Sequence, residues 1–140
     1  TSPTGLYGNF GQTNYGAAKL AQVGFMNSLK IEGAKNNIHT NTIAPIAATR
    51  MTESLIPEAV HSKLAPESVT PAALFLVSEE APNGVIMQAE GGRFSVASIV
   101  ENTGAQLGVD ATPDDIASNY DMISDLEGAK PKGMMQINLP

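Results

Sequence analysis

Apolar residues recur with helical spacing over the longest regular stretch of the chain. Between Tyr15 and about Ala34 they recur with a helical pattern, at Ala18, Ala21, Val23, Phe25, Met26, Leu29 and Ile31. This periodicity predicts a single long helix with one buried face. Thr13 or Asn14 is the expected N-cap, and Gly33 with the Asn36–Asn37 pair is expected to end the helix.

Shorter apolar runs follow the long helix and alternate between strand and helix character. Residues 38–45 and 85–89 are rich in β-branched and apolar side chains, and proline or a turn bounds each run, which predicts two strands. Residues 51–64 predict short helical pieces with an apolar face at Met51, Leu55, Ile56, Val60 and Leu64. Residues 66–80 predict a further helix. Strands separated by helices indicate an α/β fold with a parallel sheet.

The two ends of the chain are less regular. Residues 1–12 are predicted to form the end of a strand followed by a glycine-rich loop, and residues 93–101 a further extended segment. Thr112 and Pro113 precede two aspartates, a typical helix start that predicts a helix through Ile123. We therefore divide the chain into residues 1–100, an α/β part, and residues 101–140, an extension with one helix.

Composition excludes several functional classes. The 140 residues are 42% hydrophobic and 16% charged, which is typical of a globular protein. The formal net charge is −6 and no cluster of Lys and Arg is present, which argues against a nucleic-acid partner. There is no apolar run long enough to cross a membrane. Without cysteine, and with His39 and His61 isolated in the sequence, no metal site is expected.

The candidate chemistry lies at the start of the long helix. Tyr15 and Lys19 are four residues apart and therefore share one helix face. A cation within about 4–6 Å of a phenol favours the phenolate, which makes the phenol a better base. Ser2, from a different segment, could hydrogen-bond a substrate oxygen beside the same phenol. These groups suit proton transfer to or from an alcohol or carbonyl oxygen.

The same residues resemble the Ser…Tyr-x-x-x-Lys signature of the short-chain dehydrogenase/reductase family, with the family's usual spacing of thirteen residues from Ser2 to Tyr15. Residues 5–19, Gly-Leu-Tyr-Gly-Asn-Phe-Gly-Gln-Thr-Asn-Tyr-Gly-Ala-Ala-Lys, are similar to the dehydrogenase region of peroxisomal multifunctional enzymes type 2. The resemblance extends to the C-terminal extension. It implies the C-terminal part of a doubly wound, Rossmann-type parallel sheet, with the dinucleotide-binding half upstream of Thr1.

The resemblance also implies roles for individual residues. Ser2 would hold the substrate oxygen, Tyr15 would act as the catalytic base, and Lys19 would favour the phenolate and bind the nicotinamide ribose. Residues 41–52 resemble the family's strand and nicotinamide-binding loop, with isoleucine at position 46 where many relatives have glycine. The cofactor contacts expected in this loop come from Ala47, Ala48, Thr49 and Arg50.

The implied reaction is NAD-dependent oxidation of a (3R)-hydroxyacyl-CoA to the 3-ketoacyl-CoA in fatty-acid β-oxidation. NADP remains possible, because the residues that choose between the two dinucleotides lie upstream. The family also implies a homodimer through the Tyr15–Ala34 helix, and a peroxisomal location in a eukaryote or a cytoplasmic one in a bacterium. This chain alone is expected to be inactive.

Two alternatives stay open from the sequence. The first is an NADPH-dependent ketoreductase that acts on an acyl-carrier, polyketide or steroid substrate. The second is an inactive fragment or dimerisation module, although the presence of Ser2, Tyr15 and Lys19 together argues against evolved loss of the site.

Overall fold

The computed structural model describes residues 1–52 and 56–135, so that Leu55, expected on the apolar face of residues 51–64, lies outside the described residues. The chain forms two compact units, Thr1–Ala97 and Ser98–Pro140. The first unit combines helices with a sheet that contains a parallel pair of strands. The predicted α/β class is therefore confirmed.

In its described part, residues 1–52 and 56–97, the first unit contains three α-helices and two 3₁₀ helices. The α-helices are α1 (Pro3–Tyr7), α2 (Thr13–Ala34) and α3 (Thr70–Leu76), and the 3₁₀ helices are Glu58–Leu64 and Pro66–Val69. The short helical pieces predicted between residues 51 and 64 correspond to the first 3₁₀ helix. The helix predicted for residues 66–80 is shorter than expected, because α3 ends at Leu76.

A three-stranded mixed sheet completes this unit. Its strands are β1 (Thr42–Ile46), β2 (Ile86–Glu90) and β3 (Arg93–Ala97), in the order β1-β2-β3. β1 and β2 are parallel, whereas β2 and β3 are antiparallel. The turn between β2 and β3 places Gly91 and Gly92 at φ 51° and 85°, a region that glycine adopts without a steric penalty.

The core lies between α2 and the sheet. Val23 and Met26 of α2 are each only 1% exposed and pack with Ile86 of β2. Burial of each such side chain stabilises the fold by about 1.5–3 kcal/mol. Ala44 of β1 and Ala89 of β2 are also fully buried.

The C-terminal end of the predicted long helix is confirmed, whereas its predicted N-cap is not. α2 ends at Ala34, and Asn37 just beyond it adopts φ 54°, which stops the helix. Its first residue is Thr13 and its N-cap is Gln12, which makes no side-chain capping bond. The prediction of Thr13 or Asn14 as the N-cap was therefore wrong.

Two other sequence predictions need correction. Residues 1–12 contain the helix α1, where a strand end and a loop were expected. The strand predicted from residue 38 begins only at Thr42. Residues 39–41 do not join the ladder because they bind the turn before β2: the His39 ring Nδ1 lies 2.9 Å from the Ala81 carbonyl oxygen, and the Thr40 amide donates to the side chain of Asn83.

Over the residues of the second unit that the structure describes, 98–135, there are two short strands and two short helices. They are β4 (Val100–Glu101), β5 (Lys130–Pro131), α4 (Pro113–Ser118) and α5 (Tyr120–Ser124). Thr112 and Asp115 form a reciprocal capping box at the start of α4, as the sequence there suggests. Hydrogen bonds from the Thr112 side chain and backbone lower the pKa of Asp115. The single helix predicted through Ile123 is interrupted at Asn119.

We predict that Asn41→Ala destabilises the first unit. The Asn41 amide nitrogen donates to the Pro82 carbonyl oxygen at 2.6 Å, and its oxygen accepts from the Val85 amide at 2.9 Å. Loss of both bonds leaves half-buried polar groups without partners, which costs about 1–3 kcal/mol. Urea-induced unfolding of the protein measures this. Asn36→Ala, an exposed control, should change the free energy of unfolding by less than about 0.5 kcal/mol, and an equal loss in both variants would contradict the prediction.

Candidate active site

Ser2 is placed by the start of α1. It is the N-cap of this helix, and its Oγ accepts a hydrogen bond from the Thr4 amide at 3.2 Å. Pro3 follows at the first helical position, where its missing N–H costs nothing. Because Oγ accepts from Thr4, the Ser2 hydroxyl hydrogen remains able to donate to a ligand.

α1 lies directly against the first turns of α2. A Cβ added at Gly5 would come within 2.8 Å of the Lys19 Cβ and 2.9 Å of the Leu20 backbone nitrogen. The Thr1 hydroxyl also donates to the Lys19 carbonyl oxygen at 2.6 Å. The segment that contains Ser2 is therefore held close to the turn that contains Tyr15 and Lys19.

Tyr15 and Lys19 lie one turn apart on α2. The Lys19 Nζ is 5.4 Å from the centroid of the Tyr15 ring, so the ammonium charge lies over the ring. At this separation a cation–π attraction is effective. The Tyr15 side chain is 42% exposed, which leaves the phenol accessible to a ligand.

The loop between α1 and α2 is tied to both helices through one residue, Gln12, by its side chain and its backbone carbonyl. The Gln12 side-chain oxygen accepts from the Thr4 hydroxyl and from the Asn9 amide, each at 3.0 Å. The Gln12 carbonyl oxygen accepts from the Gly16 amide at 2.7 Å. These bonds brace the position of Tyr15 relative to α1.

Ser2 and Tyr15 line the same cavity, which has a volume of about 650 Å³. The cavity lies at the carboxyl end of β1, where ligands bind in open α/β sheets. Its other described lining residues are Pro3, Thr4, Asn9, Gln12, Pro45, Ile46, Ala47, Thr49, Met51, Thr52 and Ile56. The volume falls within the range of about 300–1,000 Å³ that is usual for small-molecule sites.

The loop after β1 is organised by the Thr52 hydroxyl. It donates to the Ala47 carbonyl oxygen at 2.9 Å and accepts from the Thr49 amide at 2.8 Å. The Ala48 amide donates to the Leu64 carbonyl oxygen at 2.7 Å. The backbone donors of Ala48 and Thr49, two of the expected cofactor contacts, are therefore already occupied within the protein.

The structure brings together only part of the predicted site. Ala47 and Thr49 join Ser2 and Tyr15 around the cavity, whereas Ala48 and Arg50 line a neighbouring one. Lys19 is not among the described lining residues of the cavity, but its Nζ lies 5.4 Å from the centroid of the Tyr15 ring, which does line it.

Sequence reasoning missed the bracing group of Thr4, Asn9 and Gln12. All three line the cavity and are bonded to one another. Their only signal in the sequence was a cluster of small polar residues before the long helix, which is also typical of an ordinary loop.

The described residues lack two other kinds of feature. In residues 1–52 and 56–135, no three His, Asp or Glu side chains are grouped so that they could hold a metal ion. Within the same ranges, no helix is both long enough and apolar enough to cross a membrane.

Known proteins similar to this chain were found by sequence and by structure. The family model described as short chain dehydrogenase matches residues 1–59. A putative short-chain type dehydrogenase/reductase of Mycobacterium tuberculosis is 48% identical over 134 residues, which cover 95% of this chain and 47% of the relative. Peroxisomal multifunctional enzyme type 2 of Mus musculus is 41% identical over 97% of this chain and 19% of its own length.

A solved structure gives the same relationship. Full-length peroxisomal multifunctional enzyme type 2 from Drosophila melanogaster matches with a TM-score of 0.82 and 31% identity, over 96% of this chain and 25% of that one. The chain thus spans about half the length of its mycobacterial relative, and a smaller share of the multifunctional enzymes. These matches and the fold establish that the chain belongs to the short-chain dehydrogenase/reductase family, a family of NAD(P)-dependent oxidoreductases.

Proposed function

We propose that this chain is the catalytic part of a dehydrogenase that oxidises (3R)-hydroxyacyl-CoA to 3-ketoacyl-CoA with NAD. The observation that supports this most directly is the shared cavity of Ser2 and Tyr15 at the carboxyl end of β1. The similarity to peroxisomal multifunctional enzymes type 2 supports the choice of substrate class.

In the proposed reaction, Tyr15 takes the proton of the substrate hydroxyl. Lys19, with its ammonium 5.4 Å from the ring centroid, stabilises the negative charge that the phenol carries as it acts. Ser2 donates its free hydroxyl hydrogen to the substrate oxygen, an interaction that strengthens as charge develops there. The proton thus moves from the substrate oxygen to the Tyr15 phenolate oxygen, which becomes the neutral phenol, while the hydride of the substrate carbon would pass to NAD.

The residues around the cavity fit the nicotinamide end of the cofactor. Ala47 and Thr49 follow β1 at the sheet edge where dinucleotides bind in doubly wound folds. When bound, NAD accepts the hydride from the substrate carbon. Residues that would hold the adenine half are expected outside this chain, in a dinucleotide-binding half upstream.

The cavity wall also suits an acyl substrate. Five of its lining residues are apolar and larger than alanine: Pro3, Pro45, Ile46, Met51 and Ile56. An acyl chain buried against such a wall gains about 25 cal/mol per Å² of apolar surface removed from water.

We call the longer polypeptide that would carry both this chain and the dinucleotide-binding half the parent. For a eukaryotic parent we propose the peroxisome as the location, and for a bacterial parent the cytoplasm.

The parent polypeptide should reduce NAD with a (3R)-3-hydroxyacyl-CoA and should show little reduction with the (3S) isomer or with NADP. NADH absorbance measures the rate in each case. Because the hydride must leave the carbon toward a nicotinamide held on one side, one isomer should react at least ~100-fold faster in kcat/KM. Activity only with NADPH and a 3-keto substrate would instead support the ketoreductase alternative, and no activity with either pair would contradict a dehydrogenase function.

We further propose that the parent forms a homodimer through α2. The stripe that contains Val23 and Met26 faces the sheet. The opposite side presents small residues, Ala17, Ala21, Gly24 and Ser28, flanked by the exposed side chains of Leu20, Phe25 and Ile31. A Cβ added at Gly24 would meet nothing within 4 Å in this chain, so a second helix has room to approach.

The dimer can be tested at the centre of this face. Ala21→Arg should convert the parent from dimer to monomer in sedimentation velocity, since a buried arginine would clash and lack a partner. Gln22→Arg, next to it but off this face, should leave the dimer intact. A dimer that tolerates Ala21→Arg would show that α2 is not the interface.

A further inference from the structure

A second cavity lies beside the active-site cavity and is not used by the proposed chemistry. It has a volume of about 440 Å³ and is lined by Ala48, Thr49, Arg50, His61, Ser62, Ala65 and Pro66. Thr49 lines both cavities, so the two adjoin at this residue. A ligand group in the second cavity would therefore contact a residue that also borders the active-site cavity.

The polar groups of the second cavity suit an anion. Its described lining residues include the Arg50 guanidinium and the hydroxyls of Thr49 and Ser62, and none of the lining residues within 1–52 and 56–135 carries a carboxylate. Arg50 and Ser62 have no hydrogen-bond partner or ion pair among residues 1–52 and 56–135, so their donors can turn to a ligand. Guanidinium forms paired, charge-assisted hydrogen bonds with phosphate.

The wall of the second cavity is held in place by the protein itself. The Ala48 amide donates to the Leu64 carbonyl oxygen at 2.7 Å, which joins the loop after β1 to the first 3₁₀ helix. The His61 ring donates from Nε2 to the Ile56 carbonyl oxygen at 2.8 Å, because a carbonyl oxygen can only accept. A site held in this way loses little conformational freedom when a ligand binds.

The β2–β3 turn packs against the C-terminal residues of the first 3₁₀ helix, which forms part of this wall. A Cβ added at Gly91 would come within 2.9 Å of the Lys63 carbonyl oxygen and 3.2 Å of the Leu64 side chain. The 3₁₀ helix is therefore packed against backbone on this side. Residues 61–62 belong to this helix and line the same cavity as Arg50.

We propose that the second cavity binds a phosphate group of the coenzyme A portion of the substrate, with Arg50 as the main contact. This inference rests on the proposed function, which places the acyl end of the same molecule in the adjoining cavity. The pyrophosphate of the dinucleotide is the other possible source of phosphate. The two sources are distinguished by which Michaelis constant depends on Arg50.

The test compares two thioesters in the parent polypeptide with and without Arg50→Gln. With a (3R)-hydroxyacyl-CoA, the variant should raise KM roughly 10-fold or more and leave kcat within about 2-fold, since a lost charge-assisted bond weakens binding alone. With the matching N-acetylcysteamine thioester, which has no phosphate, KM should not change. KM for NAD should also stay constant, because the substitution retains the backbone of residue 50.

Lys35→Gln is the control for the loss of one positive charge. Lys35 is exposed and lies twenty residues beyond Tyr15, at the C-cap of α2, about 30 Å away along the helix. This variant should leave every KM unchanged. Equal effects of the two substitutions would overturn the proposal in favour of a general electrostatic effect.

Two further outcomes of the kinetic test would assign Arg50 to another part of the site. A rise in KM for both thioesters would assign Arg50 to the acyl end, and a rise in KM for NAD would assign it to the cofactor; either overturns the proposal. Titration calorimetry with CoA alone gives a readout that does not require turnover. CoA should bind the unmodified parent roughly 10-fold more tightly than the Arg50→Gln variant, even if the thioester proves not to be a substrate, and equal binding would overturn the proposal.

Discussion

The close contact between α1 and α2 at Gly5 is the constraint on which the candidate site depends. Any larger residue at this position would meet the Lys19 Cβ at 2.8 Å and the Leu20 backbone at 2.9 Å. Because the two helices touch there, Ser2 at the start of α1 and Tyr15 in the first turns of α2 face the same cavity. The proton-transfer groups are thus assembled by backbone packing, not by a direct bond between the two side chains.

A second constraint positions the other side of the cavity. β1 ends at Ile46, and the loop beyond it is shaped by the Thr52 hydroxyl, which bonds to Ala47 and Thr49. The Ala48 amide then ties this loop to Leu64. A cavity built from two separately anchored walls is suited to holding a substrate oxygen on one side and a nicotinamide on the other.

Much of this could be predicted from the sequence, and the exceptions have physical causes. The helix α2 was predictable because apolar residues recur with helical spacing from Ala18 to Ile31, over most of its 22 residues. The helix α1 was missed because it is only 5 residues long and contains Gly5, which resembles a loop residue until its contact with α2 is known. The second cavity was not predictable, since the loop of Arg50 and the 3₁₀ helix of His61 are joined by the Ala48–Leu64 hydrogen bond, a tertiary contact that the sequence does not reveal.

The most direct test of the account is the effect of Tyr15→Phe on NADH formation from a (3R)-hydroxyacyl-CoA by the parent polypeptide. The substitution removes one hydroxyl from the cavity and should lower kcat at least ~100-fold, the typical contribution of a general base. Tyr7→Phe, on a residue that is 66% exposed and absent from the cavity lining, should retain full activity. A Tyr15→Phe variant as active as the unmodified parent would contradict the account.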